Sequence, residues 1–327
     1  MALLEVQDLS VGYQTARGFL KAVDRISFSL EEGRSLGFVG ESGCGKTTLG
    51  MALMGLLPPN GRVTGGRIIL DGEDLTRKSE DEMREIRWSK ISMIFQAAMN
   101  ALNPVQRVQD QIMEAIMTHN PNISKPEALK QVEGLFQLVN LPRNRMADYP
   151  HQYSGGMKQR AIIAMALSCN PKLIIADEPT TALDVIVQYQ ILEETKNLQK
   201  ELGISIIFIS HDISIVADVC HDIGIMYAGQ LVECGTREEV FDNPMHYYTQ
   251  ALLSSYPRLT GEKKSLMPIP GESPNLYKPP SGCCFCERCQ GAGSSCHIGS
   301  PTWMELSSTH RVLCGRCKEV STGTIAE

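Results

Sequence analysis

The run Gly40-Glu-Ser-Gly-Cys-Gly-Lys46-Thr47-Thr48 constrains this chain more than any other feature, because it fits G-x-x-x-x-G-K-[ST] in the required setting. The short apolar run Ser35–Val39 precedes it, and the pattern predicts a helix beginning near Lys46. Gly40, Gly43 and Gly45 allow the backbone to curl until successive N–H groups face a phosphate, and the helix N-terminus adds partial positive charge. Lys46 can then reach β- and γ-phosphates, and the Thr47 hydroxyl can ligate Mg²⁺. Ser42, Cys44 and Thr48 complete the candidate nucleotide-binding set. Cys44 lies between two glycines, beside a lysine and a helix N-terminus, a setting expected to favour the thiolate. The plainer reading is a loop position that tolerates many small residues; on the thiolate reading, alkylation is expected to block nucleotide turnover, with bound nucleotide protecting.

A second chemical signal is Leu173-Ile-Ile-Ala-Asp177-Glu178-Pro179, an apolar strand ending in two carboxylates. The terminal Asp177 suits Mg²⁺, held directly or through water, and Glu178 suits polarising an attacking water. Residues 1–255 alternate short β-branched runs with helical patterns. Ser35–Val39, Leu173–Ala176 and Ile204–Ile209 are apolar on both faces, as buried strands of a largely parallel sheet should be. This part therefore reads as α/β. A more helical stretch from about 100 to 167 is expected to break at Pro121, Pro126, Pro142 and Pro150. With 327 residues the chain can bury a sizeable core. A net charge of −6 leaves no basic excess for nucleic acid, and no apolar run approaches the ~20 residues of a membrane helix. Glu5 and Asp8 stand where a signal peptide would be apolar, so a cytosolic chain is expected, with any membrane role coming through partners.

Between the two motifs lies Tyr153-Ser154-Gly155-Gly156-Met157-Lys158-Gln159-Arg160, a Ser-Gly-Gly turn opening the apolar helix Ala161–Leu167. It makes a second anion site where one nucleotide is expected, which suggests that Ser154 and Gly156 meet a γ-phosphate held by another copy. With this the sequence resembles the ATP-binding subunits of ABC transporters over residues 3–255. The resemblance implies a P-loop ATPase of the ABC type, with a helical signature subdomain at about 100–167. It makes Tyr13 the aromatic that stacks on adenine, Gln96 the Q-loop glutamine that senses Mg²⁺ and water, and Ala182-Leu183-Asp184 the D-loop. His211 matches the switch histidine at the γ-phosphate. Catalysis would then rest on Glu178, His211 and Gln96, with Mg²⁺ at Thr47, Gln96 and Asp177. Tyr153 replaces the usual leucine and Lys158 stands where arginine is common; neither removes a phosphate contact. A soluble ABC ATPase of translation or repair usually carries two nucleotide-binding halves or a long coiled-coil insert, and this chain has neither.

After Pro257 the composition changes. Six of the chain's 17 prolines lie between 257 and 280, so residues 256–282 are expected to form a stiff linker. Seven of the eleven cysteines then fall within Cys283–Cys317, which in a cytosolic chain points to metal. The segments Pro268–Pro274, Pro279–Cys283 and Asn243–Leu253 resemble the C-terminal part of the oligopeptide/dipeptide/nickel uptake branch. That resemblance implies a [4Fe–4S] cluster on Cys283, Cys289, Cys296 and Cys314 in a Cys-rich extension over 283–327. Cys284, Cys286 and Cys317 are additional, and Cys286-x-x-Cys289 with Cys314-x-x-Cys317 leaves a zinc-knuckle reading open. The resemblance further implies a head-to-tail pair with a sister ATP-binding subunit, heterodimer or homodimer. Two permeases in the membrane would be fed by an extracytoplasmic binding protein, with the ATPase peripheral on the cytoplasmic face and peptide, nickel or sugar as cargo.

Overall fold

The computed structural model describes residues 2–96, 101–181, 183–255 and 269–316. In chain order the elements begin with β1 (Ala2–Thr15), β2 (Gly18–Glu31), β3 (Ser35–Val39), α1 (Lys46–Leu53), β4 (Gly61–Leu70) and β5 (Glu73–Asp74). There follow α2 (Glu80–Ile86), β6 (Ile91–Ile94), α3 (Val108–His119), α4 (Lys125–Leu138), α5 (Gly155–Leu167), β7 (Leu173–Asp177) and α6 (Val185–Leu202). The chain continues through β8 (Ser205–Ser210), α7 (Ile213–Val219), β9 (Asp222–Tyr227), β10 (Gln230–Thr236), α8 (Arg237–Asp242) and α9 (Tyr247–Ser254). Beyond the proline-rich stretch come α10 (Ser294–Ile298), β11 (Trp303–Glu305) and β12 (Arg311–Leu313). No helix among the described residues is long and apolar enough to cross a membrane.

Two compact units divide the chain. The first comprises Leu70–Ile209 with Met1–Leu4 and Leu30–Ser35. Its strands run in the order β8-β7-β6 and pair in parallel, with Ile175 opposite both Met93 and Ile207. Every residue of β7 and β8 is buried, which explains why both read as continuous apolar runs. The helices α3, α4 and α5 pack on one another, and α5 also meets β6 and α6. Arg160 on α5 donates two hydrogen bonds to Glu194 on α6, at 2.9 and 2.6 Å, a fork geometry that fixes the two helices against each other. The break expected at Pro126 does not occur. Pro126 sits in the first turn of α4, whose capping box pairs Ser124 with Glu127. The N–H that proline lacks would have no intrahelical partner in the first turn, so the residue starts the helix instead of ending it.

The second unit comprises Glu5–Ser29, Leu36–Ile69 and the chain from Ser210 onward. Strands β2, β1 and β4 lie side by side in one sheet, and β11-β12-β10-β9-β3 in the other. Here β3 and β9 are parallel, while the remaining pairs are antiparallel. The Cys-rich extension thus joins the sheet of the phosphate-loop strand, with β12 against β10. It is anchored by a buried carboxylate: Glu233 accepts the Met245 and His246 N–H groups, both at 2.8 Å, and lies 2.8 Å from His310 Nε2. Phe285 is buried edge-on to Tyr227 and Tyr248, at centroid distances of 5.2 and 5.3 Å. Truncating so buried a ring leaves a cavity, so Phe285→Ala is expected to lower the unfolding free energy by about 3 kcal/mol. Chemical denaturation of the full chain, followed by tyrosine fluorescence, measures this.

Candidate nucleotide site

The phosphate loop lies in the second unit, between β3 and α1. A β-carbon at Gly40 would stand 2.0 Å from the Met226 carbonyl oxygen, so only glycine fits. Gly45, the N-cap of α1, has φ +105°, and a β-carbon there would lie 2.3 Å from the Ala22 carbonyl oxygen. Lys46 is 6% exposed, and its ammonium donates to the carbonyls of Gly40 (2.7 Å) and Glu41 (3.0 Å). The lysine therefore braces the loop from within, holding its charge over the enclosed backbone. The Tyr13 hydroxyl lies 3.1 Å from Thr48 Oγ1, which ties β1 to the first turn of α1. His211 follows β8 immediately, and Asp212 after it caps α7.

Cys44 departs from the sequence expectation. It is 4% exposed, and burial pushes its thiol pKa up, although Lys46 Nζ, 3.6 Å from Sγ, pulls part of the way back. The expectation of a thiolate weighed neighbouring positive charge and took no account of desolvation, which here wins. The thiol packs beneath the loop instead of facing a reagent.

The carboxylates belong to the first unit. Asp177, 1% exposed, ends β7. Glu178 follows with φ +48°, a left-handed conformation that costs a non-glycine residue about 1 kcal/mol or more. Its N–H donates to the Ile209 carbonyl at 2.8 Å, which pins the turn to the end of the neighbouring strand. Its carboxylate Oε2 accepts from Gln96 Nε2 at 2.8 Å and from Thr181 Oγ1 at 3.0 Å. Gln96 and Glu178, read separately from sequence, thus meet. Thr181 was not singled out from sequence; its signal was only its position three residues beyond Glu178.

Ser154 is the N-cap of α5 and accepts the Met157 N–H, with Gly155 and Gly156 in the first turn. A β-carbon at Gly156 would stand 2.8 Å from Val187 Cγ1. Tyr153, in place of the usual leucine, fills a buried position, and its hydroxyl donates to the Arg145 carbonyl at 2.8 Å. Asp184 caps α6 through the Val187 N–H, and Ala182 lies outside the described residues.

In the extension, the Cys283 N–H donates to the Cys296 carbonyl at 2.9 Å. Burial pushes the Cys283 thiol up to about 12, with the Cys314, Cys284 and Cys286 thiols adding to the effect. Burial likewise raises Cys289 to about 11, helped by Cys314, Cys296 and Cys286. Cys283, Cys289, Cys296 and Cys314 therefore gather in one region, and none of the four is in a disulfide. Among the described residues no three His, Cys, Asp or Glu side chains form a group able to hold a metal ion. Cys317 lies outside the described residues.

The family profile "ABC transporter" matches residues 23–181. The dipeptide transport ATP-binding protein DppD of Bacillus subtilis (strain 168) is 47% identical over 315 residues, covering 95% of this chain and 94% of that protein. The chain belongs to the ABC transporter family of ATP-binding proteins. The oligopeptide transport ATP-binding protein OppD of Escherichia coli (strain K12) is also 47% identical, over 92% of this chain and 89% of its own. The profile "Oligopeptide/dipeptide transporter, C-terminal region" matches residues 232–296, from β10 to Cys296. A dimeric ATP-binding cassette, solved in a post-hydrolysis state bound to ADP and Pi, superimposes with a TM-score of 0.64 at 25% identity. It covers 72% of this chain and 98% of its own. The α/β ABC fold expected from sequence is the fold found, and this ABC ATPase hydrolyses ATP. Brief iodoacetamide treatment of the native ABC ATPase is expected to leave Cys44 unmodified by peptide mass spectrometry, and to label it fully after denaturation.

Proposed function

We propose that this ABC ATPase powers the uptake of di- or oligopeptides. The likeness of nearly the whole chain to dipeptide and oligopeptide transport ATP-binding proteins, C-terminal region included, carries that reading. The chain would work peripherally at the cytoplasmic face of the cell membrane, paired with a sister ATP-binding subunit on two permeases that receive peptide from an extracytoplasmic binding protein. The dimeric form of the cassette it resembles supports such pairing.

In the chemistry, the N–H groups of Ser42 to Thr48 and the start of α1 cradle the phosphates, Lys46 turns toward the β- and γ-phosphates, and Tyr13 stacks on adenine. Thr47 hydroxyl, Asp177 carboxylate and Gln96 amide offer oxygen donors that would hold Mg²⁺, which when bound would supply neutralisation of phosphate charge. Glu178 accepts a proton from the attacking water, and Gln96 and Thr181 orient its carboxylate for that task. His211 steadies the γ-phosphate. Ser154, Gly155 and Gly156 of one copy close over the nucleotide of the other, with Asp184 crossing between them. Closure moves the permeases, and hydrolysis resets them. Glu178→Gln keeps the two hydrogen-bonding neighbours but cannot take the proton. It is expected to lower ATP turnover by at least ~100-fold while retaining ATP binding. In proteoliposomes with its permeases and binding protein, the wild type should accumulate labelled dipeptide and the variant should not. Uptake of nickel or sugar in place of peptide would overturn the substrate reading.

Cys283, Cys289, Cys296 and Cys314 would hold a [4Fe–4S] cluster. Four soft donors on one segment suit it. A cluster bound to these four residues would clasp the segment. Anaerobically purified protein is expected to carry about four irons and four acid-labile sulfides per chain, and Cys289→Ser to lose them.

A further inference from the structure

One connection lies outside the roles assigned above: an arginine of the Cys-rich extension reaches the phosphate loop. The side chain of Arg288, beside Cys289, is only 6% exposed. Its Nη1 and Nη2 donate to the two carboxylate oxygens of Glu41, each at 2.8 Å, in a parallel fork. Nη1 also donates to the Tyr227 hydroxyl at 3.1 Å, and Nε to the Pro270 carbonyl at 2.8 Å. The guanidinium carbon lies 5.6 Å from the Tyr227 ring centroid and 5.9 Å from that of Phe285. The Ser273 hydroxyl adds a third hydrogen bond to Glu41, at 2.8 Å to Oε2. All these residues belong to the second unit.

Glu41 is the second residue of the phosphate loop, and each of its polar groups is engaged. Its N–H donates to the hydroxyl of the buried Tyr248 at 3.0 Å, and its carbonyl accepts from Lys46 Nζ. One residue thus joins the extension's arginine to the lysine of the phosphate loop. A carboxylate in a loop that receives a nucleotide polyphosphate is an electrostatic liability, because like charges there repel. The fork on Glu41 neutralises that charge and fixes the loop backbone before any nucleotide arrives. In keeping with this, the Arg288 hydrogen bonds hold the Glu41 carboxyl below its ordinary range.

We propose that Arg288 is a positioning residue for nucleotide binding: the extension clamps Glu41, which neutralises and pre-shapes the phosphate loop and couples the docking of the tail to affinity for ATP. The proposal rests on the phosphate loop being the nucleotide site.

The test is a double-mutant cycle on the full chain, with Kd for Mg·ATP and for adenosine measured by equilibrium binding and Tm measured alongside. Arg288→Ala leaves the Glu41 charge uncompensated and is expected to weaken ATP binding roughly tenfold or more, with adenosine little affected. Arg288→Lys keeps the charge without the fork and should fall between Arg288→Ala and the wild type. Glu41→Gln in the Arg288→Ala background removes the uncompensated charge and is expected to recover ATP affinity to within about threefold of wild type. Equal ATP affinity in wild type and Arg288→Ala would overturn the proposal. So would a double variant as weak as the single one, since Arg288 would then act only on general stability. Should Arg288→Ala fail to fold, the lysine variant decides: wild-type affinity for ATP overturns the clamp, and a loss specific to ATP over adenosine supports it. If the wild type itself bound no ATP, the nucleotide-site reading would fail first, and the two failures are told apart by that measurement.

Discussion

A buried lysine ammonium has to find oxygen, and in this protein the oxygen comes from the loop that the lysine serves. Lys46 donates to the carbonyls of Gly40 and Glu41, and those two bonds keep the turn between β3 and α1 closed. Much else follows from that closure. Gly40 lies against the Met226 carbonyl and Gly45 against that of Ala22, so both flanks of the loop touch backbone where any side chain would clash. The loop is therefore gripped on three sides by β2, β9 and its own lysine. Those contacts fall on the glycines and the lysine, which leaves the side chains at the variable positions open to other uses.

Glu41 and Cys44 illustrate the two uses. Both are variable positions in the motif, and both are charged or potentially charged. Cys44 turns inward and stays neutral because burial outweighs the nearby lysine. Glu41 turns outward, keeps its charge, and is met by an arginine 247 residues further along the chain. Their contrast illustrates how a few ångströms of depth decide whether an ionisable group is silenced or partnered.

How far the sequence could be read follows the range of the interactions. The phosphate loop, the apolar strands β3, β7 and β8, and the turn at Asp177–Glu178 all declare themselves over fewer than ten residues. The forces that fix them are local backbone geometry and burial on both strand faces. Pro126 was legible only as a proline; that it opens α4 depends on the capping pair Ser124 and Glu127 around it. The contact between Gln96 and Glu178 needed the parallel pairing of β6 with β7, which no short window contains. The docking of the extension through Glu233, His310, Phe285 and Arg288 is longer in range still. Composition suggested a tail on a stiff linker. In the described part of that stretch, Ser273 and the Pro270 carbonyl bond to Glu41 and Arg288 respectively.

The hairpin of β11 and β12 has one more consequence. Strand β10 spans seven residues, and β12 occupies its outer side, leaving only the three-residue β11 at the margin of the sheet. Short margins of this kind offer little unpaired backbone to another chain. A version of this protein cut after α9 would expose the seven-residue β10, Glu233 without His310, and a socket of tyrosines. The extension therefore also serves as a cover for the outer edge of β10.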